Sequence, residues 1–280
     1  MKLSSFFCSK SVTFVLIFNS KFTQMEFNVS NALKQLNNDY SEDKASEIIE
    51  NLLYNSTDFS DEDHEIIDQL GDKFLRIAAQ IFVEDLAYDF NTLVNYWEAF
   101  IGQLTEEQSQ NLLNFAIEQT DTEFVEDFII GYRKFYSNPK ESITFFNKLN
   151  EDEFYEIKFF KARCYEVLGE NEKAVEAYNN YLNSAHFKKE ENTEQAAVNE
   201  FYISHSIAPL LVSMKKYDEA KTYFDRVLGN IKFEDYLANF EGSNQQEIKS
   251  FLEDYVTTLE ETGDNKTAEI ISKKIMQYFS

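Results

Sequence analysis

The chain has 280 residues, of which 43% are hydrophobic and 27% are charged. This balance supplies enough apolar surface for a core and argues against an intrinsically disordered chain. Fifty acidic residues oppose 26 basic ones, and the formal net charge of −24 argues against nucleic acid as a partner, because phosphate binding depends on clustered lysines and arginines. Seven glycines and two prolines are too few for the turns of a sheet protein, so the sequence predicts an all-α fold.

The first 24 residues differ in charge from the rest of the chain. They contain three lysines and no acidic residue, and an apolar run extends from Val12 to Phe18. We interpret residues 1–24 as an over-extended reading frame before a start at Met25, with a weak signal peptide as the alternative and a structured element as a third. The run is too short to span a bilayer. We therefore expect a cytoplasmic protein, or a secreted one if residues 1–24 act as a signal peptide.

The sequence predicts no catalytic, metal or cofactor site. Of the two cysteines, Cys8 lies in the leader and Cys164 in a predicted helix, so no internal disulfide is expected in the rest of the chain. His64, His186 and His205 are scattered without metal-ligand spacing. No glycine-rich phosphate loop or nucleophile elbow occurs. We therefore expect a protein that is not an enzyme and that uses no cofactor.

Apolar residues recur at helical spacing through the N-terminal helical region, residues 25–122. Leu33 and Leu36 share one face of a short first helix. Ser60 precedes acidic residues in a capping-box pattern, and one apolar stripe then follows from Ile66 to Ile81. A break is expected at residues 137–139, and further helices are predicted at Leu93–Ile101, Glu106–Glu118 and Glu123–Tyr136.

Residues 159–182 read FFKARCYEVLGENEKAVEAYNNYL, which predicts a helix, a tight turn and a second helix. Small residues at Ala162 and Ala174 allow the two helices to approach closely, and Gly169 can adopt the left-handed conformation that ends the first helix. The spacing of six residues resembles that of the tetratricopeptide repeat, a helical hairpin repeat: Ala162, Tyr165, Gly169, Ala174, Tyr178 and Leu182.

Two further copies follow, and Ser142 with Phe146 indicates one more hairpin upstream. The second copy contains Ala208, Leu211, Tyr217, Ala220, Phe224 and Leu228, and the third contains Val256, Leu259, Gly263, Ala268, Ser272 and Met276. The copies are roughly 46 to 48 residues apart, against about 34 for the standard unit, and the repeat's usual tryptophan and closing proline are absent. The resemblance implies a TPR-like α-solenoid over residues 123–280, that is, a right-handed superhelical array of antiparallel helix hairpins.

The resemblance also implies a groove on the concave side, built by the first helix of each hairpin. Because the chain is strongly acidic, we expect a basic or amphipathic protein or peptide as the partner, with no nucleic acid. The predicted function is a non-catalytic interaction scaffold or adaptor, with a peptide-sensing regulatory protein or a secretion or assembly chaperone as alternatives. The implied groove-facing residues are Phe159, Arg163, Glu166, Tyr202, His205 and Ser206.

Overall fold

A computed structural model of the protein describes residues 28–54, 59–135, 137–184, 194–229, 232–238 and 245–279. The predicted leader and the start at Met25 lie outside these residues. Helices contain 83% of the described residues, and no strand occurs among them. This result confirms the prediction of an all-α fold.

The helices belong to two compact units. The first unit ends at Ile157 and contains α1 Val29–Asn38, α2 Glu42–Tyr54, α3 Asp61–Leu70, α4 Asp72–Gln103, α5 Glu106–Gln119, α6 Glu123–Lys134 and α7 Pro139–Phe146. The second unit begins at Lys158, one residue into α8, and contains α8 Ile157–Val167, α9 Asn171–Leu182, α10 Glu194–Ser213, α11 Tyr217–Leu228, α12 Phe233–Ala238, α13 Gln245–Glu261 and α14 Asn265–Tyr278.

The division between the units does not coincide with the predicted boundary after residue 122. α6 packs against α4 and α5, and α7 packs against α6, so both helices belong to the first unit. The Ser142 hydroxyl donates to the Gly131 carbonyl at 2.7 Å. A Cβ added at Gly131 would lie 2.7 Å from the Phe146 ring, so only glycine allows α6 and α7 to approach this closely.

The apolar stripe predicted from Ile66 to Ile81 is divided between two helices. α3 ends at Leu70, and α4 begins two residues later. Gly71 between them has φ +62° and ψ −151°, a conformation that is open to glycine and strained for other residues. The predicted capping box is present at the start of α3, where the Ser60 hydroxyl accepts from the Asp63 amide and the Asp63 carboxylate accepts from the Ser60 amide.

Helix α4 folds back on itself at Asp89, whose φ of −148° and ψ of 81° are not helical. The Trp97 indole N–H donates to Asp85 Oδ2 at 2.8 Å, and the rings of Phe82 and Trp97 lie 5.0 Å apart. In a straight helix, residues 85 and 97 would be about 18 Å apart along the axis. Residues 72–88 and 90–103 therefore form two arms that pack together, and the helix predicted at Leu93–Ile101 lies in the second arm.

The second unit contains three helix pairs joined by the same turn. At Gly169 (φ +69°) the Gly169 amide donates to Glu166 O and the Glu170 amide donates to Tyr165 O, both at 2.9 Å. This pair of bonds is a Schellman motif, which satisfies the last carbonyls of a helix. The same two bonds recur at Lys215 (φ +58°) and at Gly263 (φ +87°), so α8–α9, α10–α11 and α13–α14 share one turn design.

Small residues are buried inside each of these pairs. Ala162 and Ala174 are 0% exposed, as are Ala208 and Ala220, and Ala268 is 2% exposed. α10 packs against α11 and α13 packs against α14, while the rings of Phe159 in α8 and Tyr178 in α9 lie 6.0 Å apart. The alanines predicted to mark the approach of paired helices are therefore in the core.

The shared turn leads to a prediction about stability at Lys215. We expect Lys215→Gly to raise the free energy of unfolding by about 0.5–1 kcal/mol, because a side chain in the left-handed region costs roughly 1–2 kcal/mol and the freedom of glycine in the unfolded chain offsets part of the gain. Gly169→Ala should lower the free energy of unfolding by about 1 kcal/mol, because alanine must then adopt the left-handed conformation. No atom lies within 4 Å of the added Cβ, so no steric clash adds to this cost. Urea denaturation measures both effects.

Lys216→Gly is the matched control, because Lys216 lies in the same turn with φ −93°. It removes a lysine without relieving any left-handed strain, so we expect it to lower stability. Equal effects at positions 215 and 216 would show that backbone conformation does not explain the gain.

Candidate functional site

Two of the residues predicted to line the groove, Phe159 and Glu166, contact one buried side chain, Tyr178 of α9, which is 1% exposed, and a third, Arg163, acts on it electrostatically. The Tyr178 hydroxyl donates to Glu166 Oε2 at 2.8 Å, and the Phe159 and Tyr178 rings are in contact. The Arg163 guanidinium lies 5.6 Å from the centre of the Phe159 ring and acts electrostatically on both Glu166 and Tyr178. Residues 159, 163 and 166 are spaced by four and three, which places them on one face of α8.

The Glu166–Tyr178 pair is largely removed from water. Burial raises the pKa of the Glu166 carboxyl, while the hydrogen bond from Tyr178 and the charge of Arg163 lower it. Burial also raises the pKa of Tyr178 well above its usual value; Glu166 adds to this rise, and Arg163 and the Ser206 hydroxyl oppose it. Tyr178 is therefore a neutral hydrogen-bond donor near neutral pH, and Arg163 supplies the positive charge beside the carboxylate.

Phe159 lies inside its hairpin and not on the surface, since its side chain is 6% exposed. Its ring meets the rings of Phe160, Tyr178 and Tyr181 at centroid distances of 5.9 to 6.0 Å. A partner cannot reach this ring directly. Phe159 contributes instead by supporting the Arg163 guanidinium through a cation–π contact.

The coupling of Glu166 and Tyr178 can be tested by substitution. We expect Tyr178→Phe to lower the free energy of unfolding by about 1–3 kcal/mol, because the Glu166 carboxylate loses its donor without gaining access to water. The double variant Tyr178→Phe/Glu166→Gln should lose less stability than the sum of the losses in the two single variants, since both substitutions remove the same interaction. Urea denaturation followed by far-UV circular dichroism measures all three variants.

Tyr165→Phe provides the matched control, because Tyr165 is a half-buried tyrosine on the same helix. We expect its effect to remain within about 0.5 kcal/mol. Additive effects of the Glu166 and Tyr178 substitutions would contradict the coupling.

His205 of α10 belongs to a different cluster, formed with Tyr236 of α12 and Phe251 of α13. The His205 and Phe251 rings stack at 3.8 Å with planes 8° apart, and His205 Nε2 lies 3.0 Å from the Tyr236 hydroxyl oxygen. Burial lowers the pKa of His205 to about 4 and raises that of Tyr236. The imidazole is therefore neutral at pH 7 and contributes stacking and a hydrogen bond, not positive charge.

Tyr202 and Ser206 lie four residues apart on α10, so they share one face of that helix. Both side chains are half-buried. Burial raises the pKa of Tyr202, and its ring meets Phe201 edge-on at 5.4 Å. The structure therefore joins Phe159, Arg163, Glu166 and Ser206 around Tyr178. It places His205 with Tyr236 and Phe251 and Tyr202 against Phe201.

Sequence reasoning missed Tyr236 and Phe251 as neighbours of His205. They lie on α12, which was not predicted, and on α13, and no periodic signal connects positions so far apart in the chain. Tyr178 was predicted as one of the repeat positions, but its bond to Glu166 joins two different helices. Periodicity describes one helix at a time and cannot identify such a pair.

Two findings bear on metal and membrane binding. Across the described ranges, no three or more His, Cys, Asp or Glu side chains are grouped so that they could hold a metal ion. Each helix in the described part of the chain is too short or too polar to span a bilayer.

The chain matches no protein-family model, no curated protein and no solved structure.

Proposed function

We propose that this protein is a non-catalytic protein–protein interaction scaffold, in which the helix pairs of the second unit form a TPR-like superhelical array with a partner-binding groove. The observation that supports this proposal is the threefold recurrence of one hairpin design. The same Schellman turn occurs at Gly169, Lys215 and Gly263, and buried alanines recur in each pair. Stacked hairpins of one design are the building units of helical repeat arrays, whose concave faces bind partners.

The groove in this proposal is lined by the half-buried side chains of Arg163, Tyr202 and Ser206. Tyrosine and arginine are among the residue types that most often act as anchors in protein interfaces. The Glu166–Tyr178 bond holds α8 against α9 and so keeps this face in a fixed shape. The net charge of −24 favours a basic or amphipathic protein segment as the partner.

We also propose a cytoplasmic location. The chain has two cysteines, and the one in the described ranges, Cys164, lies buried in α8. A chain of this kind does not depend on an oxidising compartment for its fold.

Affinity capture with a matched pair of variants tests the scaffold proposal. Wild-type protein should recover a stoichiometric partner from native extract, and Arg163→Ala/Tyr202→Ala should recover at least about tenfold less, because two interface anchors are removed. The control is Arg226→Ala/Tyr223→Ala, which removes the same residue types from α11, the second helix of its pair. Loss of the partner with the control alone, or turnover of a substrate without any partner, would contradict the proposal.

A further inference from the structure

A second surface, in the first unit, combines exposed tyrosine rings with carboxylates. Tyr88 is 89% exposed and Tyr54 is 63% exposed. The Tyr54 ring on α2 meets the Tyr96 ring on the second arm of α4 edge-on at 5.3 Å. We call this the acidic tyrosine surface; it consists of Tyr54, Tyr88, Tyr96, Glu50, Glu84 and Asp85.

The three carboxylates of the acidic tyrosine surface interact electrostatically, and two of them, Glu84 and Asp85, are adjacent in the chain. Glu50 and Glu84 both act on Asp85 and add to the rise that burial causes in its pKa. Asp85 is held in place because its Oδ2 accepts the Trp97 indole N–H at 2.8 Å. Glu84 accepts from the Gln80 side-chain amide at 2.9 Å. None of the lysines and arginines in the described ranges forms an ion pair with these three carboxylates.

The backbone of α4 explains why these groups meet. Glu84, Asp85 and Tyr88 lie on consecutive turns of the first arm, and the fold-back at Asp89 returns Tyr96 to the same side. α2 packs against α4 and brings Glu50 and Tyr54, which are one helical turn apart. The surface therefore exists only in the folded unit, since three separate stretches of chain supply it.

The same chain shows what a carboxylate beside an aromatic ring can hold. The ammonium group of Lys148 lies 2.5 Å from Asp127 Oδ1 and 4.5 Å from the centre of the Phe145 ring. This lysine is held by an ion pair and by a cation–π contact at once. The acidic tyrosine surface presents carboxylates and aromatic rings, and no lysine of the described chain forms an ion pair with its carboxylates.

We propose that the acidic tyrosine surface binds a lysine- or arginine-rich segment of a partner protein. The segment's cations lie against Glu50, Glu84 and Asp85, and its side-chain stems lie on the rings of Tyr54 and Tyr88. Charge complementarity favours such a segment over an acidic or neutral one. The site lies outside the groove of the second unit, so it does not depend on the scaffold proposal.

Fluorescence anisotropy with a defined probe tests this surface in the full-length protein. The probe is a fluorescein-labelled nonapeptide of alternating lysine and alanine, and its control carries glutamine at each lysine position. We expect Glu50→Gln/Glu84→Gln to weaken binding of the lysine peptide about tenfold at low salt. Tyr88→Ala should weaken it about three- to fivefold, and Tyr88→Phe should leave it unchanged, because the ring and not the hydroxyl faces the cation.

The matched charge control is Glu107→Gln/Glu126→Gln, which removes two exposed carboxylates from α5 and α6. It should change the affinity less than twofold. An equal loss with both double variants would show that net charge alone attracts the peptide, and equal binding of the lysine and glutamine peptides would show that cations are not recognised. Either result overturns the proposal.

Two other occupants of the surface, the chain's own basic segment and a second copy of the chain, would give different experimental results. Lys2, Lys10 and Lys21 belong to the chain itself, and tighter peptide binding after their joint replacement by serine would show that the chain's own basic segment occupies the surface. Self-association that Tyr88→Ala abolishes in sedimentation velocity would assign the surface to a second copy of the chain. Each of these results would overturn the assignment to a partner protein.

Discussion

Replacing Trp97 with alanine is expected to lower the free energy of unfolding by about 3–5 kcal/mol. The indole is 1% exposed and fills the space between the two arms of α4, where its ring lies 5.0 Å from Phe82 and 5.4 Å from Phe100. The substitution leaves a large cavity and removes the N–H that Asp85 accepts. Urea denaturation followed by far-UV circular dichroism measures the loss, because that signal does not depend on the removed fluorophore.

Two further variants separate packing from hydrogen bonding at Trp97. Trp97→Phe keeps an aromatic ring in the core but leaves the partly buried Asp85 carboxylate without its donor, so we expect a loss of about 1–3 kcal/mol. Tyr88→Ala removes an aromatic ring from the same helix at a position that is 89% exposed, and it should stay within about 0.5 kcal/mol of wild type. A loss at Trp97 as small as that at Tyr88 would refute the fold-back of α4.

Lowering the pH from 6.5 to 4 should destabilise the wild-type protein through His205 by up to about 3 kcal/mol. Burial lowers the pKa of His205 from 6.5 to about 4 in the folded protein. Within this window the unfolded chain binds a proton that the folded chain does not, so the free energy of unfolding decreases as the pH falls. Denaturation curves recorded across the window measure this dependence.

Comparison with His205→Phe isolates the contribution of the imidazole. Phenylalanine keeps a ring against Phe251 and cannot take up a proton, so the variant should lack this part of the pH dependence. The carboxyl pKa values of Glu166 and Asp254 are raised by burial. These groups change the free energy of unfolding with pH in the opposite direction, but they are common to both proteins.

Tyr236→Phe is the control: it removes the hydroxyl near Nε2 and keeps the burial, so its pH dependence should match that of wild type. Identical curves for His205→Phe and wild type would contradict the prediction.

The predictable parts of this fold are those determined by near neighbours in the sequence. Leu33 and Leu36 indicated the buried face of α1, and both side chains are buried. Ser60 indicated a helix start, and Gly169 a helix end with positive φ; the structure has both features. Caps and turns of this kind depend on residues within one helical turn of each other, so a single sequence is sufficient to identify them.

Two backbone features, at Lys215 and Asp89, are not indicated by the neighbouring residues in the sequence. Lys215 adopts the left-handed conformation that Gly169 and Gly263 adopt, although lysine is not a residue that predicts it. Asp89 interrupts α4 without a proline or glycine beside it. In these places tertiary packing overrides local preference, and at Lys215 the cost of the left-handed conformation is offset by the burial that the turn allows.

The features of the candidate sites can also be separated into those that near neighbours in the sequence determine and those that the tertiary structure decides. The sequence by itself determined the all-α class, the faces of the helices that are buried, and the placement of Arg163 and Glu166 on one face of α8. Only the tertiary structure decided that Tyr178 donates to Glu166, that His205 stacks on Phe251 and that Trp97 donates to Asp85. Each of these contacts joins two stretches of chain that no local rule connects, because the meeting of distant helices depends on how whole faces pack and not on the spacing of residues within any one helix.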